Sequence, residues 1–290
     1  MPDFLRATID VLLGIGLLFG GGELFVQGAV ALALVFGIPQ LVIGLTVVSL
    51  GTSAPELFVS LSSVFKGSDA LAVSNAVGSN IFNVMVVLGA SAVVLPLRVE
   101  SRLVRRDIPL LIAISAAVWG MASAGRMTWQ AGVALLVGLV INTIWEIRTA
   151  REQPDVSVDA EPEVDANAGQ GGWGLAVFKL IAGIAVLTIG SRVLVSGAIT
   201  AATLLGVSEA VIGLTIVSAG TSTPELITSM VAALRGRTDL AIGNVVGSCL
   251  LNLTLVLGGG ALAAGSRGLL VSADLIHDDL PVMLLTSLAC

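Results

Sequence analysis

Charge is scarce in this chain. Only 12% of its 290 residues are Asp, Glu, Lys or Arg, against about 25% in soluble domains. Histidine occurs once, at His277, and cysteine twice, at Cys249 and Cys290. Two isolated cysteines offer no disulfide framework and no metal-ligand spacing. A lone histidine outside the long apolar runs leaves no nucleophile–base pair for an intramembrane hydrolase. No basic patch suits nucleic acid, and the alternating strands of an outer-membrane barrel are missing. The N-terminal apolar run is too long for a cleavable signal and reads as a span.

What the chain has is apolar length. Hydrophobic residues make up 56% and the mean hydropathy is +1.01. Many runs approach the roughly 20 residues that cross a bilayer. This predicts an all-α polytopic membrane protein. The net charge of -6 is gathered in one place: Glu152, Asp155, Asp159, Glu161, Glu163 and Asp165 follow one another without a base.

Read in order, the spans fall near residues 7–36, 40–65, 71–97, 108–122 and 128–147. Residues 149–172 are acidic, contain Pro154 and Pro162, and end in Gly169-Gln170-Gly171-Gly172. They read as a solvated linker. Four more spans follow near 174–205, 210–234, 240–264 and from Leu280 onward. The division is therefore 1–148, a linker at 149–172, and 173–290.

The two parts repeat one another. Gly51-Thr52-Ser53-Ala54-Pro55-Glu56 returns 169 positions later as Gly220-Thr221-Ser222-Thr223-Pro224-Glu225. Around it, 15 of the 24 positions from Gly37 to Ser60 match Gly206 to Ser229. Asn75, Ser79 and Asn83 recur as Asn244, Ser248 and Asn252. Five spans per half is an odd number, so the halves enter the membrane in opposite directions. Such inverted repeats build transporters with a site at the midplane. The second half falls one span short of the first, giving about nine spans and a truncated second repeat.

Basic residues set the orientation. Arg98, Arg102, Arg105, Arg106, Arg148, Arg151, Arg235 and Arg237 follow spans three, five and seven, against Arg6, Lys66, Arg126 and Arg267 on the other side. Eight against four places the linker in the cytoplasm and the N-terminus outside, in the inner cell membrane. Trp119, Trp129, Trp145 and Trp173 near span ends read as interface anchors.

An ionised carboxylate at a span centre costs about 2.5–3.5 kcal/mol. Two at equivalent depth need compensation, and a cation shared by Glu56 and Glu225 is the simplest form. Each motif also fits a capping box, with Ser53 or Ser222 as N-cap and Glu three positions on. The broken helix would leave carbonyls near Ser49, Leu50 or Gly51 facing a cation, and hard cations take six to eight oxygens. Asn75, Ser79 and Asn83 share a helical face and add neutral oxygens suited to sodium and calcium. Their bland reading is interhelical hydrogen bonding, with Gly78 and Gly247 allowing close approach. Glu23 and Arg192, equivalent in the repeat, are candidates for an ion pair. His277-Asp278-Asp279 reads as an interfacial turn more readily than a metal site.

These motifs resemble the two alpha-repeats of the cation/calcium exchanger superfamily, in particular its compact bacterial and archaeal sodium/calcium exchanger-like members. The resemblance covers nearly the whole chain. It implies ten spans, with spans two, three, seven and eight around the ions, and exchange of Ca2+ against Na+ by alternating access. It implies that Glu56 and Glu225 hold calcium and that Thr52 and Thr221 add backbone oxygens. Ser79, Ser248 and Asn83 would be sodium ligands, and Ser49 and Ser218 would stand at outer sodium sites. Asn252 departs from the Asp of many relatives, and Cys249-Leu250-Leu251 departs from Asn80-Ile81-Phe82. With Asn252 neutral, the site carries two formal charges, matched by one calcium or two sodium ions. A calcium/proton antiporter is the alternative, potassium co-transport stays open, and a cation channel is the reading from another class. No bound cofactor is expected; the partners are Ca2+, Na+ and the lipid bilayer.

Overall fold

The computed structural model describes residues 2–97, 99, 101–152, 172–206 and 218–290. Arg98, linker residues 153–171, the first part of the seventh span and the Ser218 side chain lie outside the described residues.

The chain is almost entirely helical. The first half contains α1 (Pro2–Phe36), α2 (Gln40–Thr52), α3 (Ala54–Phe65), α4 (Asp69–Val94), α5 (Ile108–Ala122) and α6 (Trp129–Glu152). The second contains α7 (Gly172–Leu204), α8 (Ser218–Thr221), α9 (Thr223–Leu234), α10 (Thr238–Arg267) and α11 (Leu280–Ala289). Among the described residues, the exception to all-α is one two-residue ladder, β1 (Arg126–Met127) against β2 (Leu269–Leu270), which joins the halves at one face.

Among the described residues, five helices are long and apolar enough to cross a membrane, or six if the bent pair α2–α3 is one span. The expectation of about nine spans exceeds this count. The difference has local causes: α5 is 15 residues long, α11 is 10, and α9 begins only after the break. Each is short of the roughly 20-residue crossing length.

Helices α1 and α7 pack antiparallel along their whole length. Glycines recur every seven residues on both, at 14, 21 and 28 and, 169 positions on, at 183, 190 and 197. A Cβ at Gly14 would lie 2.6 Å from the Leu194 amide nitrogen, and one at Gly183 would lie 2.7 Å from Phe25 Cα. Only hydrogen fits, so the two backbones touch, as small-residue faces permit in lipid. The ladder's period of seven is visible in the sequence, but its partner helix is not.

Helix α10 runs through the centre and is almost wholly buried. Gly243 and Gly247 press against the carbonyls of Leu41 and Leu45 on α2, each 2.6 Å from the position a Cβ would take. Exposed apolar side chains such as Leu12, Phe65, Val93 and Phe178 form the outer surface.

Among the described residues, four of the five π-helical turns come in two equivalent pairs, the fifth being Gly44–Val48. Asn83–Leu88 matches Asn252–Val256, and Leu103–Asp107 matches Leu275–Asp279. In the second pair, Arg102 and Arg106 correspond to Asp274 and Asp278. The arginines were read as markers of orientation, and they also build structure. Both pair with Glu146, whose exposure is 1%, and Trp145 lies 3.4 Å beneath the Arg106 guanidinium. Trp145 is thus a stacking partner, and Trp119 donates its indole N–H to the Ile276 carbonyl. On the opposite face, Arg267 donates to Asp69 at 3.0 Å and Asp69 accepts the Leu270 amide at 3.1 Å.

Candidate functional site

The break between α2 and α3 bends the chain by 46° at Ser53. Pro55 is the cause: it has no N–H, so the Gly51 carbonyl loses the donor a continuous helix would supply. Pro224 does the same to Gly220, whose carbonyl accepts the Ser191 hydroxyl at 2.6 Å. Ser53 and Ser222 are the N-caps of α3 and α9, with Pro in the first turn of each.

The capping box does not form. Neither serine hydroxyl bonds to its own helix N-terminus. The hydroxyls cross between the halves instead. Ser53 Oγ donates to Glu225 Oε1 at 3.2 Å, and Ser222 Oγ donates to Glu56 Oε1 at 3.0 Å. Thr52 stands against Glu225 and Thr221 against Glu56 in the same crossed sense. A capping serine accepts a backbone N–H; here each hydroxyl is turned instead to donate to a carboxylate, a charge-assisted bond that the crossing brings within reach.

Glu56 and Glu225 are both 0% exposed. In each, Oε1 is bonded and Oε2 has no hydrogen-bond partner. Of the paired asparagines, Asn83 has both side-chain polar atoms unpartnered, and Asn252 has its Oδ1 unpartnered. Four oxygens, two from each half, are therefore buried without a donor. Such groups are costly alone, and a cation is what an all-oxygen set accommodates.

The surrounding residues hold the two glutamates in place. Asn75 Nδ2 donates to the Glu56 carbonyl at 3.2 Å and to Ser60 Oγ at 2.9 Å; Asn244 repeats this with Glu225 at 3.5 Å and Ser229 at 2.9 Å. These two asparagines position the glutamate backbones. Ser79 Oγ lies 3.1 Å from Ser222 Oγ, and Ser248 Oγ lies 3.4 Å from Thr52 Oγ1, which donates to Asn244 Oδ1 at 3.1 Å. Ser49 is buried, but its hydroxyl donates to the Leu45 carbonyl at 2.9 Å and its own carbonyl accepts the Ser53 amide at 2.9 Å. Its carbonyl is therefore not left free by the break. Of Ser218, only the backbone at the start of α8 is described.

Glu56, Glu225, Thr52, Thr221, Ser79 and Ser248 thus converge, from α2–α3 and α4 and from α8–α9 and α10, and Asn83 and Asn252 lie buried one turn further along α4 and α10 from Ser79 and Ser248. The reading missed Ser53 and Ser222 as direct partners of the carboxylates, having assigned them to capping. Their membership of the repeated motif was the available signal. The Glu23–Arg192 pairing is also overturned: Glu23 pairs with Arg235, at 2.7 Å. Among the described residues, no group of three or more His, Cys, Asp or Glu could hold a metal, His277 included.

Known proteins bear the same pattern. The family described as sodium/calcium exchanger protein matches residues 7–148 and 175–290. The inner membrane protein YrbG of Escherichia coli is 34% identical over 286 residues, spanning 98% of this chain and 87% of that protein. The sodium/calcium exchanger MaX1 of Methanosarcina acetivorans is 30% identical over 281 residues, spanning 86% and 80%. A solved structure of the sodium-calcium exchanger NCX_Mj, soaked with Na+ and Sr2+, superposes with a TM-score of 0.82 at 30% identity, covering 98% of this chain and 89% of that one. With the family matched over most of its length, this chain belongs to the sodium/calcium exchanger protein family.

Proposed function

We propose that the chain is a secondary antiporter that exchanges Ca2+ for Na+ by alternating access. The ions bind at the midplane between Glu56 and Glu225. One observation carries this reading: two equivalent buried carboxylates, each tied to the opposite half through one oxygen and unpartnered at the other. Calcium would take Glu56 and Glu225 with carbonyls of Thr52 and Thr221. Sodium would use Ser79, Ser248, Asn83 and Asn252, with the Ser49 and Ser218 positions toward its outer sites. Two carboxylates balance one Ca2+ or two Na+, so transfer of either load moves a neutral complex.

The architecture we infer is a pair of inverted repeats on a five-span plan, 1–148 with five spans and 173–290 with about four, joined by a cytoplasmic linker at 149–172. About nine spans are present in it, the short α5 and α11 and the broken α8–α9 region included, and the N-terminus lies outside. YrbG, an inner membrane protein, supports placement in the inner cell membrane. Proton coupling is the second reading, because buried paired carboxylates are also proton carriers.

The test is uptake of radiolabelled calcium into proteoliposomes. An outward sodium gradient should drive it, and a protonophore should leave it unchanged. Uptake that follows only a pH gradient would replace sodium with protons in the proposal. Flux that does not saturate and needs no counter-ion would reject exchange altogether.

A further inference from the structure

The two faces of the molecule differ where the α1–α7 pair meets α3 and α9. On the inner face, Arg235 at the end of α9 reaches Glu23 on α1 through Nη2 at 2.7 Å and Nε at 3.0 Å. Gln27 donates to Glu23 at 2.8 Å, and Lys179 on α7 donates to Gln27 at 3.1 Å. Beside this chain the helices are packed shut. A Cβ at Gly22 would lie 3.0 Å from Ile227, and Val26, Val30 and Thr228 are buried.

The offset of 169 carries each of these residues to the outer face. Gly22 becomes Ser191, Glu23 becomes Arg192 and Gln27 becomes Ser196. On the facing helix, Ile227, Thr228 and Arg235 become Phe58, Val59 and Lys66. There the helices stand apart. A crevice of about 650 Å³ runs between α3 and α7, lined by Pro55, Phe58, Val59, Arg192 and Ser196 and reaching Thr221. Phe58 is 72% exposed and Val59 36%, whereas Thr228 is 1% exposed.

The charges differ as the packing does. Closing the outer face as the inner one is closed would bring Arg192 toward Lys66. Asp10, equivalent to Lys179, is the one acid in that set. We infer that Glu23 and Arg235 form a one-sided latch that holds the inner face shut. The paired bases Arg192 and Lys66 deny the outer face the same latch, so the outward-open form is favoured before any ion binds.

The physical requirement is differential interaction: only contacts present in one state and absent from the other move an equilibrium. The salt bridge belongs to the outward-open state and the approach of two bases to the inward-open state. The glycine ladder makes α1 and α7 a single body on which both act. Thr228 fits the scheme. Its hydroxyl is buried without a partner, and opening the inner face would give it water. That favours opening, and the latch opposes it. The consequence for exchange rests on the proposed function, but the conformational bias is measurable without transport.

The test uses the full chain with Cys290→Ser, leaving only buried Cys249 as a native thiol. Thr228→Cys reports on the inner face and Ser196→Cys on the outer face, both read by labelling with a water-soluble maleimide in detergent. The outer reporter should label fast and the inner one slowly. Glu23→Gln should speed the inner reporter by up to about fivefold, the ceiling for an exposed pair, and slow the outer one. Lys66→Glu, which gives Arg192 a partner, should do the same. Joining Glu23→Arg with Arg235→Glu should return both rates to the starting values. Unchanged rates, a swap that does not restore, or both reporters speeding together, as general loosening would produce, each overturn the latch. Loss of sodium-driven calcium uptake with the labelling pattern intact would refute the exchange reading and leave the latch standing.

Discussion

The two halves are near copies at the centre and diverge one turn away from it. Around the carboxylates, the main contacts come in twins: Ser53 with Ser222, Asn75 with Asn244, Ser60 with Ser229. At the next shell, Asn80 corresponds to Cys249. Asn80 donates to the Cys249 carbonyl at 3.2 Å and accepts from Asn252 Nδ2 at 3.0 Å. The Cys249 thiol lies 3.9 Å from the Asn80 carbonyl, a weak contact. Asn252 is therefore anchored through its amide, and Asn83 is not. A site between two inverted halves needs like groups from both, because both face the same ion. Residues further out meet different surroundings and are free to differ.

The strongest way to break this comparison is to remove one carboxylate at a time. Glu56→Gln and Glu225→Gln should each lower calcium uptake by more than about 100-fold, the upper range for losing even an outer partner of an ion ligand, with membrane insertion intact. Near-normal uptake in either variant would mean that the halves do not share the load. The next largest effect lies where the halves carry opposite charge. Glu146→Gln strips Arg102 and Arg106 of their shared partner and should destabilise the protein by about 2 kcal/mol, less than the 3–5 kcal/mol of a fully buried pair because both arginines are partly exposed. Thermal unfolding in detergent measures it, with Asp278→Asn, at the equivalent turn, expected to change little.

Ser53→Ala and Ser222→Ala test the crossed hydrogen bonds. Each should weaken calcium binding about tenfold, and isothermal titration should find the two variants alike. A large effect from one serine alone would show that the crossing matters to a single carboxylate. The smallest effect makes the halves more alike: Asn80→Cys frees Asn252 to the extent that Asn83 is free, and should cost about 1 kcal/mol for a lost buried hydrogen bond. A change of that size in the unfolding midpoint, with Cys249→Ser nearly silent, would confirm that the anchor belongs to one half.

Much of this was legible in the chain. The repeated Gly-Thr-Ser-x-Pro-Glu motif located both bends, because a proline without an N–H removes the bond to the carbonyl four residues before it and weakens the helix there. The i, i+4, i+8 spacing of Asn75, Ser79 and Asn83 placed them on one face, since helical geometry is local. Other features were in the sequence and passed over: the seven-residue glycine period, and the arginines before α5 standing where aspartates precede α11. Partner choice was not legible. Glu23 aligns with Arg192 under the repeat, but the repeat relates equivalent positions and does not bring them into contact.

The sequence by itself determined a helical membrane protein, its two equivalent halves, and the depth of two carboxylates that hydrocarbon would not tolerate uncompensated. These follow from composition, periodicity and backbone chemistry, which act over a few residues. Only the tertiary structure decided that Ser53 serves Glu225 rather than its own helix, that Arg235 takes Glu23, and that one face is shut while the other is open. Each of these is a competition between partners far apart in the chain. Its outcome depends on which groups packing brings within hydrogen-bond reach, in surroundings that leave a buried acceptor no water to turn to.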